Sequence, residues 1–335
     1  MGKNEKKGHF LKPLKSRTPD SGACNRPVIA PKAKPMMQNT AQHSHASERL
    51  GRLMALTSAF CLGLNTTLAR LAYDGGSNPG TVAFIRFVVT TLAIALLMIV
   101  IRRKFVLSRK AILPVLGVGA AVVLQSATYL SSVTFIPVGL AVLLFYTYPL
   151  MVAAASWYVD KQKIDRSCLF ALIAAFFGIS ITIGPSFDVL DWRGIVLALM
   201  GGFGVMCIFL FTGRALRHAN AVSISFYSNL FAIPLMAVVM LTLMDGYQPP
   251  ETAIGITGLF AVCILYALAI VLQYAAIHTI GKTLTALLNN LEPLISIAAA
   301  AILLGEVLSG MQYLGGLIVI VALVLSDWMG KQKHA

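Results

Sequence analysis

Between residues 53 and 329 the chain is a succession of apolar runs, each near the ~20 residues that cross ~30 Å of hydrocarbon. The runs are 53–73, 80–101, 111–131, 136–158, 167–185, 193–213, 221–243, 253–277, 283–305 and 310–329. Lipid offers no water to free backbone N–H and C=O groups, so such runs cross as helices. The gaps hold only a few residues, several with Gly, Pro, Asn or Asp, and leave no room for an extramembrane domain. Only 12% of the residues are charged, against about 25% in globular chains, and 57% are hydrophobic. The charged surface of a soluble protein is missing. The spacing predicts an all-α integral membrane protein with ten transmembrane helices.

The basic residues orient these helices. The net charge is +14, and of the 27 Lys+Arg, 24 fall on one set of gaps and tails and one, Arg193, on the other. Both termini are therefore expected in the cytoplasm. Trp157, Tyr158, Trp192 and Trp328 fall at span ends, where aromatic belts form. Residues 1–50 are basic and rich in Pro, Ser, Gln and His, without apolar periodicity; they read as a disordered cytoplasmic tail, with Met36 or Met37 as an alternative start of the chain. No basic helix interleaves with aromatics as in a nucleic-acid binder. The five cysteines include no CxxC pair, and no motif asks for a metal or cofactor. Nor is there an HExxH, P-loop or GxSxG signature, so the chain is not expected to be an enzyme.

A shift of 144 residues lays one half of the chain over the other. LAVLLFYTYPLMVAAA (140–155) falls on LTALLNNLEPLISIAAA (284–300), Pro149 on Pro293 and Arg70 on Arg214. Each half holds five spans. Five is odd, so residues 53–185 and 193–329 are expected to form two inverted five-helix repeats. Many secondary transporters build a midplane site between such halves.

Four stretches resemble the EamA family of the drug/metabolite transporter superfamily: AFIRFVVTTLAIALL (83–97), YTYPLMVAAASWYVD (146–160), LLNNLEPLISIAAAAILLGE (287–306) and GGLIVIVALVLS (315–326). The third ends on Gly305–Glu306 as the family signature does; the second departs, with Asp160 in that place. The resemblance implies a ten-helix multi-pass carrier of the plasma (bacterial inner) membrane. It would act as a permease or exporter, moving small metabolites such as amino acids through a central cavity by alternating access. A carrier of phosphorylated or nucleotide-linked sugars, and a non-transport intramembrane enzyme or scaffold, remain the alternatives. Lipid and a small-molecule substrate are the expected partners.

Span 9 carries the most informative polar residues. Glu292 lies nine residues into it, ~14 Å deep at 1.5 Å per residue and close to the midplane. A charge there costs about 2.5–3.5 kcal/mol, so it faces a cavity or a partner, or is protonated. Thr285, Asn289, Glu292 and Ser296 share one helical face. Pro293 has no N–H, which is expected to leave the Asn289 carbonyl free as a further acceptor. Glu292 is the expected binder of a proton or a cationic substrate group, with Asn289 orienting it. Asn65, Gln125, Tyr129, Tyr146, Tyr148, Tyr266 and Gln273 are candidate cavity-lining residues or interhelical hydrogen-bonding groups. Arg86 either snorkels to the headgroups, meets a substrate carboxylate, or pairs with an acidic residue. Asp160 and Glu306 read as span-end residues and Lys282 as a positive-inside anchor. Substrate, direction, coupling ion and oligomeric state do not follow from the sequence.

Overall fold

The computed structural model describes residues 36–102, 105–132, 135–136, 138–161, 164–184, 191–244, 246–304 and 309–332. The tail up to residue 35 and the Gly305–Glu306 ending lie outside the described residues, as does the side chain of Trp328. By its contacts the chain divides into two units, Met1–Gln42 and His43–Ala335, and the second holds the helical bundle.

All described regular structure is helical: α1 (Met36–Asp74), α2 (Pro79–Val100), α3 (Arg109–Ser132), α4 (Val138–Phe145), α5 (Tyr148–Asp160), α6 (Arg166–Ile183), α7 (Trp192–Ala215), α8 (Ala221–Leu243), α9 (Ala253–Ile280), α10 (Lys282–Leu288), a 3₁₀ turn Asn289–Leu291, α11 (Glu292–Leu304) and α12 (Gly310–Gln332). Short polar residues set the starts. The side chains of Asn78, Asp191, Asn220 and Thr252 accept hydrogen bonds from the first-turn N–H groups of α2, α7, α8 and α9. Pro79 sits at the first position of α2, where its missing N–H costs nothing. α1 begins at Met36, ahead of the first predicted span; residues 36–50 contain no Gly or Pro, and Glu48 and Arg52 pair one turn apart at 2.6 Å.

Among the described residues, eight runs are long and apolar enough to cross a membrane: α2, α3, Leu140–Asp160, α6, α7, α8, α9 and Lys282–Leu303. In α12 the apolar part is the shorter Gly310–Leu325, and α1 is not in this set. Large apolar side chains face outward, among them Leu92, Leu96, Leu113, Phe177, Leu241 and Ile264. Such a surface suits lipid and no other solvent.

Packing follows the 144-residue register. α2 packs on α8 and α6 on α12, each on its own counterpart, and the fourth-span helix α5 packs on α10 of the ninth. The contact of α3 with α8 is matched by that of α9 with α2. The contact of α3 with α7 is matched by α9 with α1, where Asn65 and Ser58 donate to the Val262 and Ala269 carbonyls. These pairings keep their partners when the halves are exchanged, as a two-repeat fold requires.

Candidate substrate site

The two spans that meet through α5 and α10 are both broken, and at the same register. α4 stops at Phe145, a turn covers Tyr146 and Thr147, and α5 restarts at Tyr148 with Pro149 next. α10 stops at Leu288, the 3₁₀ turn covers Asn289–Leu291, and α11 restarts at Glu292 with Pro293 next. A mid-helix proline removes one hydrogen bond and crowds the carbonyl four residues back. In span 9 the chain answers by tightening: the Glu292 N–H donates to the Asn289 carbonyl. That carbonyl is therefore occupied, contrary to the expectation from sequence, because a 3₁₀ bond reaches three residues where the α bond would need the proline N–H. Each break is also met by a glycine on the partner helix. A Cβ at Gly63 of α1 would lie 2.7 Å from the Glu292 carbonyl oxygen, and one at Gly202 of α7 would lie 2.9 Å from that of Phe145.

The breaks bring together much of the predicted set. The Tyr146 hydroxyl is placed to donate to the Glu292 carboxylate, and Tyr129 and Tyr148 lie within its electrostatic reach. Tyr148 also meets the amide of Asn289. Phe145 is the hub of this cluster: its ring lies 4.7 Å from Tyr129, 5.6 Å from Tyr146 and 5.8 Å from Tyr148, with Phe209 6.1 Å beyond Tyr148. Tyr146, Tyr148 and Asn289 are buried, while Glu292 is only half-buried. The Asn289 Oδ1 and the Nδ2 of its neighbour Asn290 are buried without a hydrogen-bond partner.

Arg86 forms a second centre. Its guanidinium lies 4.2 Å from the centroid of the buried Tyr266 ring and 5.3 Å from that of Phe87. The negative face of an aromatic ring attracts such a cation, most strongly where water is excluded. Its Nε is buried without a hydrogen-bond partner, and among the described residues no carboxylate pairs with it. Tyr73, at the end of α1, is within electrostatic reach of both Arg86 and Tyr129.

The remaining candidates are placed apart from these groups or committed elsewhere. Asn65 donates to the Val262 carbonyl at 2.7 Å. Thr285 returns its hydroxyl to Gly281 of its own helix at 2.7 Å, and Ser296 accepts from Thr67 of α1 at its carbonyl, at 3.0 Å. Gln125 abuts α7, where a Cβ on Gly204 would lie 2.9 Å from its backbone nitrogen. Gln273 is buried in α9 at the position that matches Tyr129 in the repeat. Phe145, Phe209 and Tyr73 join the site without a sequence signal of their own, since an aromatic residue in an apolar run offers no contrast; Asn290 joins it beside the predicted Asn289. Among the described residues, no cluster of His, Cys, Asp or Glu is arranged to hold a metal ion.

Comparison with known proteins agrees with this architecture. A model of the EamA-like transporter family matches twice, over residues 49–184 and 192–326. A transporter of Synechocystis sp., itself uncharacterized, is 24% identical over 314 residues, covering 83% of this chain and 93% of its own. Two proteins named "Probable amino-acid metabolite efflux pump" are each 25% identical: that of Salmonella typhimurium over 203 residues and that of Escherichia coli over 202, covering 57% of this chain and 67% of theirs. A crystal structure at 14% identity superposes with a TM-score of 0.71, covering 87% of this chain and 99% of its own, and shows the shared fold. Doubled family match, apolar surface and two-repeat packing lead to one conclusion: this multi-pass protein of the bacterial inner membrane belongs to the EamA-like transporter family.

Proposed function

We propose that the protein is a secondary carrier of amino acids or closely related zwitterionic metabolites. Ten spans in two inverted repeats, with both termini cytoplasmic, would rock about the broken helices of spans 4 and 9. The observation that carries this reading is a pair of opposite charges left apart. Glu292 and Arg86 both lie within apolar spans, and among the described residues neither forms an ion pair. Intramembrane charges are costly and are retained where they do work. Here the carboxylate has a tyrosine donor and the guanidinium an aromatic platform, and each keeps capacity for a further partner. A substrate ammonium answers the first and a substrate carboxylate the second. The names of the Salmonella and Escherichia relatives agree with that substrate class. Carriers of phosphorylated sugars need several cations around the anion, and among the described residues Arg86 is the one cation at this site.

In this scheme Glu292 exchanges a proton for the substrate ammonium, which couples transport to the proton gradient. The test is transport by purified protein in proteoliposomes. Glu292→Gln is expected to abolish gradient-driven uptake and to flatten its dependence on pH. A variant that kept full rate and full pH dependence would rule out this site.

A further inference from the structure

Two charged side chains join the ends of the broken spans. Lys282, first residue of α10, donates to the Asp160 carboxylate at the end of α5, and both are largely covered, at 12% and 15% exposure. The exposed Arg217, just past α7, stands 3.9 Å from the other Asp160 oxygen. The three line a cavity of about 540 Å³ whose wall includes Gly213 and Ile277. This is the end of the bundle that carries the basic gaps, which we place in the cytoplasm.

Next to these residues along the chain lies a group of buried polar atoms that close no hydrogen bond in this conformation. Thr212 Oγ1, Asn229 Oδ1, Tyr274 Oη and Thr283 Oγ1 are all buried without a hydrogen-bond partner. Tyr274 faces Thr212 and Ser228 without closing a hydrogen bond to either. They come from four helices: α7, α8, α9 and α10. Thr212 precedes the cavity-lining Gly213, Tyr274 lies one turn before Ile277, and Thr283 follows Lys282. Buried polar groups are almost always paired, so a set of unpaired ones beside one ion pair needs a reason. Chance along the register does not supply it. The matching positions in the first half are Leu68, Ile85, Leu130 and Gly139, and those matching Asp160, Lys282 and Arg217 are Leu304, Val138 and Tyr73. At these positions the polar group and its charged neighbours belong to one end of the molecule only.

We propose that this group lines the cytoplasmic leg of the substrate path, dry in this conformation, and that the Asp160–Lys282 pair is the latch that keeps it shut. On release Asp160 passes to Arg217, and water and substrate reach the hydroxyls now left unpaired. The inference rests on the carrier reading. It names the route on one side of the site, and not the site itself.

The test uses full-length protein with its native cysteines replaced, in inside-out vesicles, with a membrane-impermeant thiol reagent. Thr212→Cys and Asn229→Cys are the reporters, and Leu241→Cys is the lipid-facing control. With the latch intact both reporters are expected to react slowly. Asp160→Asn or Lys282→Gln is expected to speed both by about tenfold or more, through a shift toward the open state, without changing the control. Asp160→Glu keeps the slow rate. Reporter rates unmoved by either latch variant overturn the proposal, as does an equal rise at the control. Independently, oxidising the pair Asp160→Cys/Lys282→Cys is expected to stop transport and reduction to restore it; undiminished transport with the disulfide closed also overturns it. Labelling at Glu292→Cys separates the two readings. If position 292 reacts while Thr212 and Asn229 stay sealed in every latch variant, the site stands and this route falls.

Discussion

A ring rather than a carboxylate steadies Arg86. Tyr266 lies 4.2 Å from the guanidinium, and a desolvated contact of that kind is worth about 2 kcal/mol. The ring matters and the hydroxyl does not. Tyr266→Phe is expected to leave the half-saturating substrate concentration within about twofold, and Tyr266→Leu to raise it roughly tenfold as Arg86 loses its position. Uptake kinetics decide between them; equal values for the two variants would show that Arg86 is placed by something else. Asn65 has the opposite character. Its amide is committed to the Val262 carbonyl, so it acts as a tie between α1 and α9. Asn65→Ala is expected to cost about 0.6–1.7 kcal/mol of stability, the range of interhelical hydrogen bonds in membranes, and to leave substrate affinity unchanged. Thermal unfolding read beside uptake tests both halves of that statement. Glu292 is legible in the sequence because a carboxylate stands out in an otherwise uncharged run of apolar and amide residues. Phe145 and Tyr73 are not, because only a fold can tell a ring at a site from a ring in lipid.

At the scale of elements, two devices shape the centre. One is the paired break. Pro293 is readable as a helix fault with Asn289 and Glu292 beside it, yet span 4 reads as continuous over 136–158, since the residues around Pro149 there are, Thr147 apart, apolar or aromatic. The 3₁₀ turn is hidden for a related reason: whether a helix kinks open or tightens ahead of a proline depends on what presses on it, and α1 presses on span 9 at Gly63. The other device is the close seam between α6 and α12. A Cβ on Gly315 would fall 2.3 Å from the Thr182 hydroxyl oxygen, 2.4 Å from the Thr182 backbone nitrogen and 2.5 Å from the Gly178 carbonyl oxygen, and the α6 backbone cannot swing aside as a side chain can. Gly315→Ala must therefore force the two helices apart. Overpacking of this kind costs about 1–3 kcal/mol, expected as a lowered unfolding midpoint in detergent. The same change at Gly310, which has nothing within 4 Å, is expected to be silent and serves as the control.

For the whole molecule the decisive question is whether α1 crosses the membrane. Among the described residues eight runs are apolar enough on their own, and α12 has a shorter apolar stretch. α1 falls outside that set because Asn65, Thr66, Thr67 and Arg70 interrupt its apolar residues. Polar groups exclude a helix from lipid only while they are unpaired. Here Ser58 and Asn65 donate to carbonyls of α9, Thr67 donates to one of α11, and Thr66 to one of its own helix. Packing thus supplies what hydropathy lacks. The repeat asks for the same outcome, since α1 holds the place in the first half that α7, apolar enough alone, holds in the second. Parity makes this measurable. Ten crossings put both termini on one side and nine put them on opposite sides. A reporter that fluoresces only when it folds in the cytoplasm is expected to be bright at either end of the chain, and dark in the short loop after Asp74 or before Trp192. Brightness at the C-terminus alone would remove α1 from the membrane, and with it the symmetry on which the alternating-access scheme depends.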